Sequence, residues 1–531
     1  VGGTAAVAFG AGSGTAAGSA PGGTGVGQAA LEVTGATGHL VSRLPVEDTA
    51  IACVGAALLA AASLAASRNG GRPGSVRLDT GHVAAAVRSE RYVRRGGEPV
   101  GAGFAPLSRF WRAADGWVRT HANYPWHRAA LLRSLGVDDV ACGDGDPDYG
   151  AAGGGARNYG AGNYGAGNYG AAGGEATRGR AGGNARDPGA ADLGAADHGV
   201  AVAIGAVIET MPAVEVEARV VAAGGVAAAV RTHDDWRAGS PGQAVAHQRL
   251  IEGGQIGAAP PRRRPPGPLP ASGLRVLDLT RVIAGPVCTR FLAALGADVL
   301  RLDPPHLPEL PTQIYDSLLG KRSALLDART TEGAARLHEL LAQADVLVHG
   351  YRPHALSRYG LDPVTIAARY PGLVVASLSA WGSTGPWGSR RGFDSIVQAA
   401  TGIAVAESPG AGRPGVLPCQ LLDHGSGYLC AAAVLEALGR QAETGGTHQR
   451  EVSLARTAHW LLSQPRVLAG AAAGATAGAT VAGGDDGGAW LTTVESGYGP
   501  VTAVAPPGQL NGHGLSWPGP LTGYGSDRPQ W

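Results

Sequence analysis

Between Leu274 and Gly382 the chain alternates short apolar runs with amphipathic stretches, and this alternation limits its fold more than any other feature. "LRVLDLT" reads as a buried strand and "PVCTRFLAALG" as a helix closed by Gly296. "ADVLRLD" and "SALLD" read as strands, "EGAARLHELLAQA" as a helix, and "DVLVHG" and "LVVASLSAWG" as further strands. Strands alternating with helices over short loops predict an α/β fold, a doubly wound parallel sheet of Rossmann-like kind. Ligands of such sheets sit beyond the carboxyl ends of the strands, which here are "TRVIAGP", "DART", "HGYRP" and "LSAWGSTGP".

Gly and Pro, 87 and 35 of 531 residues, are concentrated in particular segments, so they divide the chain instead of describing all of it. Residues 1–29 read as a disordered N-terminus. Residues 30–141 read as part of a first large domain leading into a smaller α+β domain. A Gly-rich insert follows at 142–199, containing "NYGAGNYGAGNYG", and the smaller domain resumes at 200–258. "PPRRRPPGPLP" makes 259–271 a stiff linker whose arginines read as a solvated charge run. The large domain covers 272–468, a Gly/Ala-rich linker 469–488, and a short β piece 489–531. The first copy is inferred from an echo. "LLAAASLAASRNGGRPGSVRLDTGHVAAAV" and "AAVLEALGRQAETGGTHQREVSLARTAHWLL" share an apolar helix, an arginine, a double glycine, a short strand and a second helix. Asp48 is then the counterpart of Asp423.

A net charge of +1 gives no electrostatic case for nucleic acid or an anionic membrane as main partner. Five cysteines without CxxC spacing point to free thiols in a reducing compartment and against structural zinc. The strongest apolar run, "IACVGAALLAAASLAA", reads as too short and Ala-rich to span a bilayer, so a soluble cytoplasmic chain is expected. No Walker motif, GxGxxG after the first strand, or GxSxG elbow is present. His121 and His127 lack metal-ligand spacing and read as partly exposed structural residues. Lys321, the single lysine, reads as a compositional habit.

One acid remains to be explained. In "PCQLLDHGSGYLCAAAVLEALGRQ", Asp423 stands at the start of an apolar helix, where position alone suggests a helix cap. The surrounding blocks suggest more. "LRVLDLTRVIAGPVCTRFLAALGADVLRLD", "GKRSALLD", "ADVLVHGYRPHALSRYGLD", "VVASLSAWGSTGPWGSRRGFDSIVQAATG" and "LLDHGSGYLCAAAVLEALGRQAETGGTHQREVSLA" together resemble the class III CoA-transferase family, of formyl-CoA and carnitine type. "RAADGWVRTHANYPWHRAALLRSLG" and "RVVAAGGVAAAVRTHDDW" resemble that family's smaller domain, although their place ahead of the large domain indicates a partial tandem arrangement.

The resemblance implies an acyl-CoA:carboxylate CoA-transferase in which Asp423 attacks the thioester, giving an aspartyl-acyl anhydride and then an aspartyl-CoA thioester. It implies CoA at Val282, Ile283 and Ala284, at Leu326, Asp327, Ala328 and Arg329, at Gly350, Tyr351, Arg352 and Arg358, and at Ser379, Ala380, Trp381 and Gly382. Acyl-CoA and a carboxylic acid are the substrates it implies, with no metal or permanently bound cofactor and with an interlocked homodimer. The helix N-terminus is expected to lower the Asp423 pKa. Gly425 and Gly427 are expected to leave room for the thioester. Ile283 stands where formyl-CoA transferase-like members carry glutamine, which argues against formyl or oxalyl chemistry. Phe393 stands where the family's racemases carry histidine, so racemisation loses its second base. A noncatalytic CoA-binding or scaffold homologue is the reading from another class.

Overall fold

The computed structural model describes residues 30–101, 103–139, 195–465 and 488–531. The readings made for 1–29, for most of the Gly-rich insert and for nearly all of the Gly/Ala-rich linker fall outside them.

The described chain begins with β1 (Leu31–Thr34), α1 (Val46–Asn69) and β2 (Val76–Asp79), followed by α2 (Thr80–Ala86) and α3 (Ser89–Tyr92). β1 and β2 pair in parallel, with α1 as the crossover. Gly70 closes α1 at φ 72°, a left-handed conformation that glycine adopts without a Cβ penalty. At 24 residues α1 is long and apolar enough to cross a membrane, contrary to the sequence reading, yet most of it is buried inside the protein. Its apolar character is explained by packing along a second helix described below.

A smaller layer follows. Phe110–Arg112, Trp117–Thr120 and Ala227–Ala229 form a three-stranded antiparallel sheet, covered by helices that include Pro125–Leu135 and Ala213–Ala222. Its core is separate, built around Trp111, Leu131, Ile204, Ile208 and Val216.

The large sheet contains β3 (Glu252–Gly257), β4 (Arg275–Leu279), β5 (Asp298–Asp303), β6 (Arg322–Leu325), β7 (Val346–His349), β8 (Val374–Ser379) and β9 (Thr447–Ser453). Their order is β6-β5-β4-β7-β8-β9-β3, parallel throughout except for β3. Strand order reverses between β4 and β7, which opens a crevice at the carboxyl ends. The helices that shape this crevice are α4 (Ala284–Ala294), α5 (Asp394–Thr401), α6 (Leu421–Thr444) and α7 (Leu454–Ser463). α6 lies against α4, β8 and β9 on one side and along α1 on the other.

α1 and α6 are structural counterparts. Both have 24 residues, and the residues before them, Pro45 and Gln420, adopt nearly the same backbone angles (φ −77°, ψ 61° and φ −78°, ψ 61°). After α1 comes β2, parallel to β1, and after α6 comes β9, parallel to β8. A side-chain-capped helix then follows each strand, capped by Asp79 and by Ser453. Each unit also borrows its last strand. β3, which leaves the smaller layer, pairs antiparallel with β9. The C-terminal segment supplies β10 (Leu491–Val494), β11 (Val501–Val504) and β12 (Gln509–Leu510); β11 pairs with Arg94–Arg95 and β12 with β2. The C-terminal segment therefore completes the sheets of the first unit, and the two units are interlocked within one chain.

The proline-rich connection is tied to the body of the protein at two of its three arginines, while Arg263 is exposed. Arg262 and Arg264 both reach Asp345, with Arg262 at 2.9 Å, and Arg68 of α1 donates to the carbonyls of Pro265, Pro270 and Ser272.

Lys321 likewise has a structural place. Its ammonium is fully buried 2.9 Å from Asp278, and burial pulls its pKa down to about 8. Since the unfolded lysine titrates higher, the unfolded chain binds more protons between these values, and this group's contribution to stability rises with pH across that window. Denaturant titrations from pH 7.5 to 10 should therefore show wild type gaining stability relative to Lys321→Met. Parallel curves would refute the coupling.

Candidate active site

Asp423 occupies the third position of α6, inside the first turn, and Gln420 is the residue that precedes the helix. The capping reading is thus excluded by position. Asp423 is 7% exposed, and its N–H donates to Asp394 Oδ2 at 3.0 Å. Asp394 opens α5 and also accepts from Gln398, while Gln398 Oε1 accepts from Leu417 N–H at 2.9 Å. These contacts fix the approach of the chain to α6. The next residue, His424, places Nε2 2.9 Å from Glu90 of α3, so the first unit reaches the site of the second.

The electrostatics correct the sequence expectation. The Asp423 carboxyl is pushed well above the ordinary range, first by burial and then by Asp394 and Glu90. Asp394 rises to about 6, also through burial. A helix N-terminus is worth about 0.3–1 kcal/mol at exposed positions, which is too little to offset burial beside two other acids. The surroundings therefore oppose ionisation of Asp423 instead of favouring it.

The glycines serve packing. A Cβ on Gly425 would stand 3.2 Å from Cys53 Sγ on α1, and one on Gly427 only 2.5 Å from the carbonyl oxygen of Ala284. They let α6 approach α1 and α4, and they do not by themselves clear space for a thioester. Gly427→Ala should cost about 1–3 kcal/mol in urea unfolding, because the obstructing atom is backbone and cannot turn away. An unchanged midpoint would show that α4 yields.

The residues expected at CoA all lie on the carboxyl side of the parallel strands. Val282, Ile283 and Ala284 follow β4 and lead into α4, against α6. Val282 has φ 69°, a left-handed conformation costly for a β-branched residue, held where its N–H donates to Glu309 Oε2 at 3.0 Å. Gly350, Tyr351 and Arg352 follow β7; Arg352 donates to Ser389 O, and burial pushes the Tyr351 phenol up. Arg358 lies against the Tyr359 ring. Leu326, Asp327, Ala328 and Arg329 follow β6 at the far edge of the sheet, where Asp327 and Arg329 pair with each other. Ser379 Oγ accepts from the Gly382 N–H, and the Ala380 carbonyl accepts from Ala455 N–H. Trp381 is buried against Trp236 and Trp387. A cavity of about 330 Å³ lies between β3, β9 and the loop after β8. Of these residues Gly382 lines it, and Asp423 does not.

Sequence reading missed the roles of four residues. Glu309 accepts from Tyr124 OH at 2.7 Å and pairs with Arg301 at 3.0 Å; burial would raise its pKa, yet Arg301 and Arg281 hold it at about 2. His121 and His127 are buried, contrary to expectation. His121 stacks on Phe393 with centroids 3.7 Å apart, placing the smaller layer over the residue that precedes Asp394. Burial lowers both imidazoles, His127 to about 3. The fourth is Glu90. No local motif marks these residues, since each acquires its partner from a distant segment.

Part of this chain is similar to known proteins. The family model for CoA-transferase family III matches residues 271–501. Over 189 residues the chain is 34% identical to the "Probable fatty acyl-CoA transferase Rv3272" of Mycobacterium tuberculosis, covering 33% of this chain and 48% of the relative. It is 31% identical to the succinate–glutarate CoA-transferase of Agrobacterium fabrum, covering 35% and 51%. A crystal structure of Rv3272 aligns at 33% identity and TM-score 0.35, covering 37% of this chain and 57% of that one. The chain spans about half the length of the curated relatives it matches. The segment 271–501, which carries the parallel strands β4 to β9 and α6 with Asp423, thus matches CoA-transferase family III.

Proposed function

We propose that the chain moves CoA between an acyl-CoA and a carboxylic acid, with Asp423 carrying the acyl group. The observation that supports this most is the placement of Asp423: buried in the first turn of α6, its N–H held by Asp394, and its helix packed against the Ala284 loop at the strand ends.

In this reading the Asp423 carboxylate attacks the thioester carbonyl. A C–O bond forms, the C–S bond breaks, and CoA thiolate leaves the aspartyl-acyl anhydride. The thiolate then attacks the aspartyl carbonyl and releases the first acid, leaving aspartyl-CoA thioester. The acceptor carboxylate attacks that thioester and forms a second anhydride. Return of the thiolate to the acceptor's acyl carbon delivers the new acyl-CoA and restores Asp423. Val282 to Ala284 and the loops after β7 and β8 hold CoA, while the smaller layer over Phe393 limits water. Phe393 stands where the family's racemases carry histidine, which argues against racemisation.

Hydroxylamine trapping tests the reading. The chain incubated with acetyl-, succinyl- or octanoyl-CoA should yield a hydroxamate at Asp423, located by peptide mass mapping. CoA binding with no hydroxamate from any donor would support a noncatalytic CoA-binding protein instead. The same reading calls for a second copy of the chain as partner; a fully active monomer in sedimentation would refute that part.

A further inference from the structure

Residues 502–531 lie outside the segment 271–501 that matches the family model. After β12 the chain runs back along β6, the edge strand of the large sheet, with a bridge between Ala324 and Ser526. The Asp527 N–H donates to the Ser323 carbonyl and Asp527 Oδ2 accepts from the Ser323 N–H, both at 2.8 Å. These contacts cover an open sheet edge. Tyr524 does something else. Its Oη accepts from the Glu309 N–H at 3.1 Å, and its own N–H donates to the Tyr498 hydroxyl at 2.8 Å. Glu309 is the residue that holds the strained turn after β4. Glu309 Oε2 accepts from the Val282 N–H at 3.0 Å, and the carbonyl of the preceding Pro308 accepts from Arg281 Nη2 at 2.7 Å. Residues 304–310 join β5 to the helix Pro311–Ser317 and belong to no strand or helix, so no ladder fixes Glu309. Its place is set by side chains from elsewhere: Arg301 and Tyr124 on the carboxylate, and Tyr524 on the backbone.

We infer that Tyr524 is a positioning residue for the CoA-binding turn Arg281–Ala284: by holding the Glu309 N–H it fixes the carboxylate that keeps Val282 in its left-handed conformation. This rests on the transferase reading, in which Val282, Ile283 and Ala284 face CoA. Val282 has φ 69°, which a β-branched residue adopts at a cost, so the turn relaxes when its restraint is loosened. The C-terminal segment thus completes the sheets of the first unit and also sets the acyl-CoA affinity of the second. The phenol acts through Glu309, from outside the part of the chain that resembles the family.

The test uses the full chain and two readouts. Tyr524→Phe removes one oxygen and keeps the ring. KM for acyl-CoA should rise about 3–10-fold, the range of one lost hydrogen bond, while kcat stays within about twofold because Asp423 lies on α6. Since the phenol acts through Glu309, Tyr524→Phe added to Glu309→Gln should raise KM no further than Glu309→Gln alone. An unchanged KM in the single variant, or effects that multiply in the double variant, would overturn the proposal. Ser526→Ala is the control, because that hydroxyl donates to the Gly523 carbonyl within its own turn. An equal rise of KM in Ser526→Ala would show that loosening the segment suffices, and would overturn the role of the phenol. The second readout needs no substrate and therefore separates this inference from the transferase reading. Amide hydrogen exchange in the peptide 278–285, followed by mass, should quicken in Tyr524→Phe while exchange in β7 stays as in wild type. Unchanged exchange in that peptide would overturn the proposal even if transfer is measured. If no donor supports transfer, quickened exchange upholds the positioning of the turn, and the failure belongs to the transferase reading.

Discussion

Asp423→Asn should lower CoA transfer by at least about 10³-fold while leaving the protein as stable as wild type or more so. In the proposed mechanism Asp423 forms every covalent intermediate, so its removal abolishes the route. Asp394 is 1% exposed and already engaged by Gln398 and by the Asp423 N–H, so it is not free to replace it. The stability part follows from the charge distribution. Burial, Asp394 and Glu90 all act against a charge at Asp423, and an uncharged amide of the same shape removes that conflict. Activity and unfolding midpoint should therefore move in opposite directions, as at sites where function is maintained against stability. Transfer at near wild-type rate in this variant would end the covalent mechanism.

Glu309→Ala should destabilise the fold by about 3–5 kcal/mol, the usual result of breaking a buried ion pair from one side. The guanidinium of Arg301 is completely buried between Asp303 and Glu309, so removing Glu309 leaves a cation with half its compensation. The same carboxylate holds the Val282 N–H, accepts from Tyr124 of the smaller layer and attracts Arg281. The strained loop after β4 and the position of the smaller layer thus depend on one side chain. Urea unfolding measures the loss, and KM for acyl-CoA should rise in Glu309→Gln, which preserves volume but not charge. A change below about 1 kcal/mol would show that water or a shift of Arg301 compensates.

Much of the fold was legible in the chain because the relevant signals are local. Apolar runs of strand length alternating with amphipathic helices marked the parallel sheet, and Gly296 closed the predicted helix within a residue of where α4 ends. The echo between the two helical segments was also readable, since the same order of helix, double glycine, strand and helix recurs. The exchange of strands was not readable. β3 and β12 carry no periodicity that names a partner, and which sheet edge each one closes depends on where the smaller layer and the C-terminal segment lie.

By itself, the sequence determined the strand and helix order, the family-like blocks and the position of Asp423 at the start of α6, because periodicity and motif spacing are properties of neighbouring residues. Only the tertiary structure decided the state of that site. The Asp423 carboxyl rises instead of falling because Asp394 and Glu90 arrive from other elements, and Gly425 and Gly427 serve helix packing because α1 and α4 lie beside them. Burial and Coulomb interaction depend on distance in space, and residues 90 and 423 become neighbours only when the first unit closes on the second.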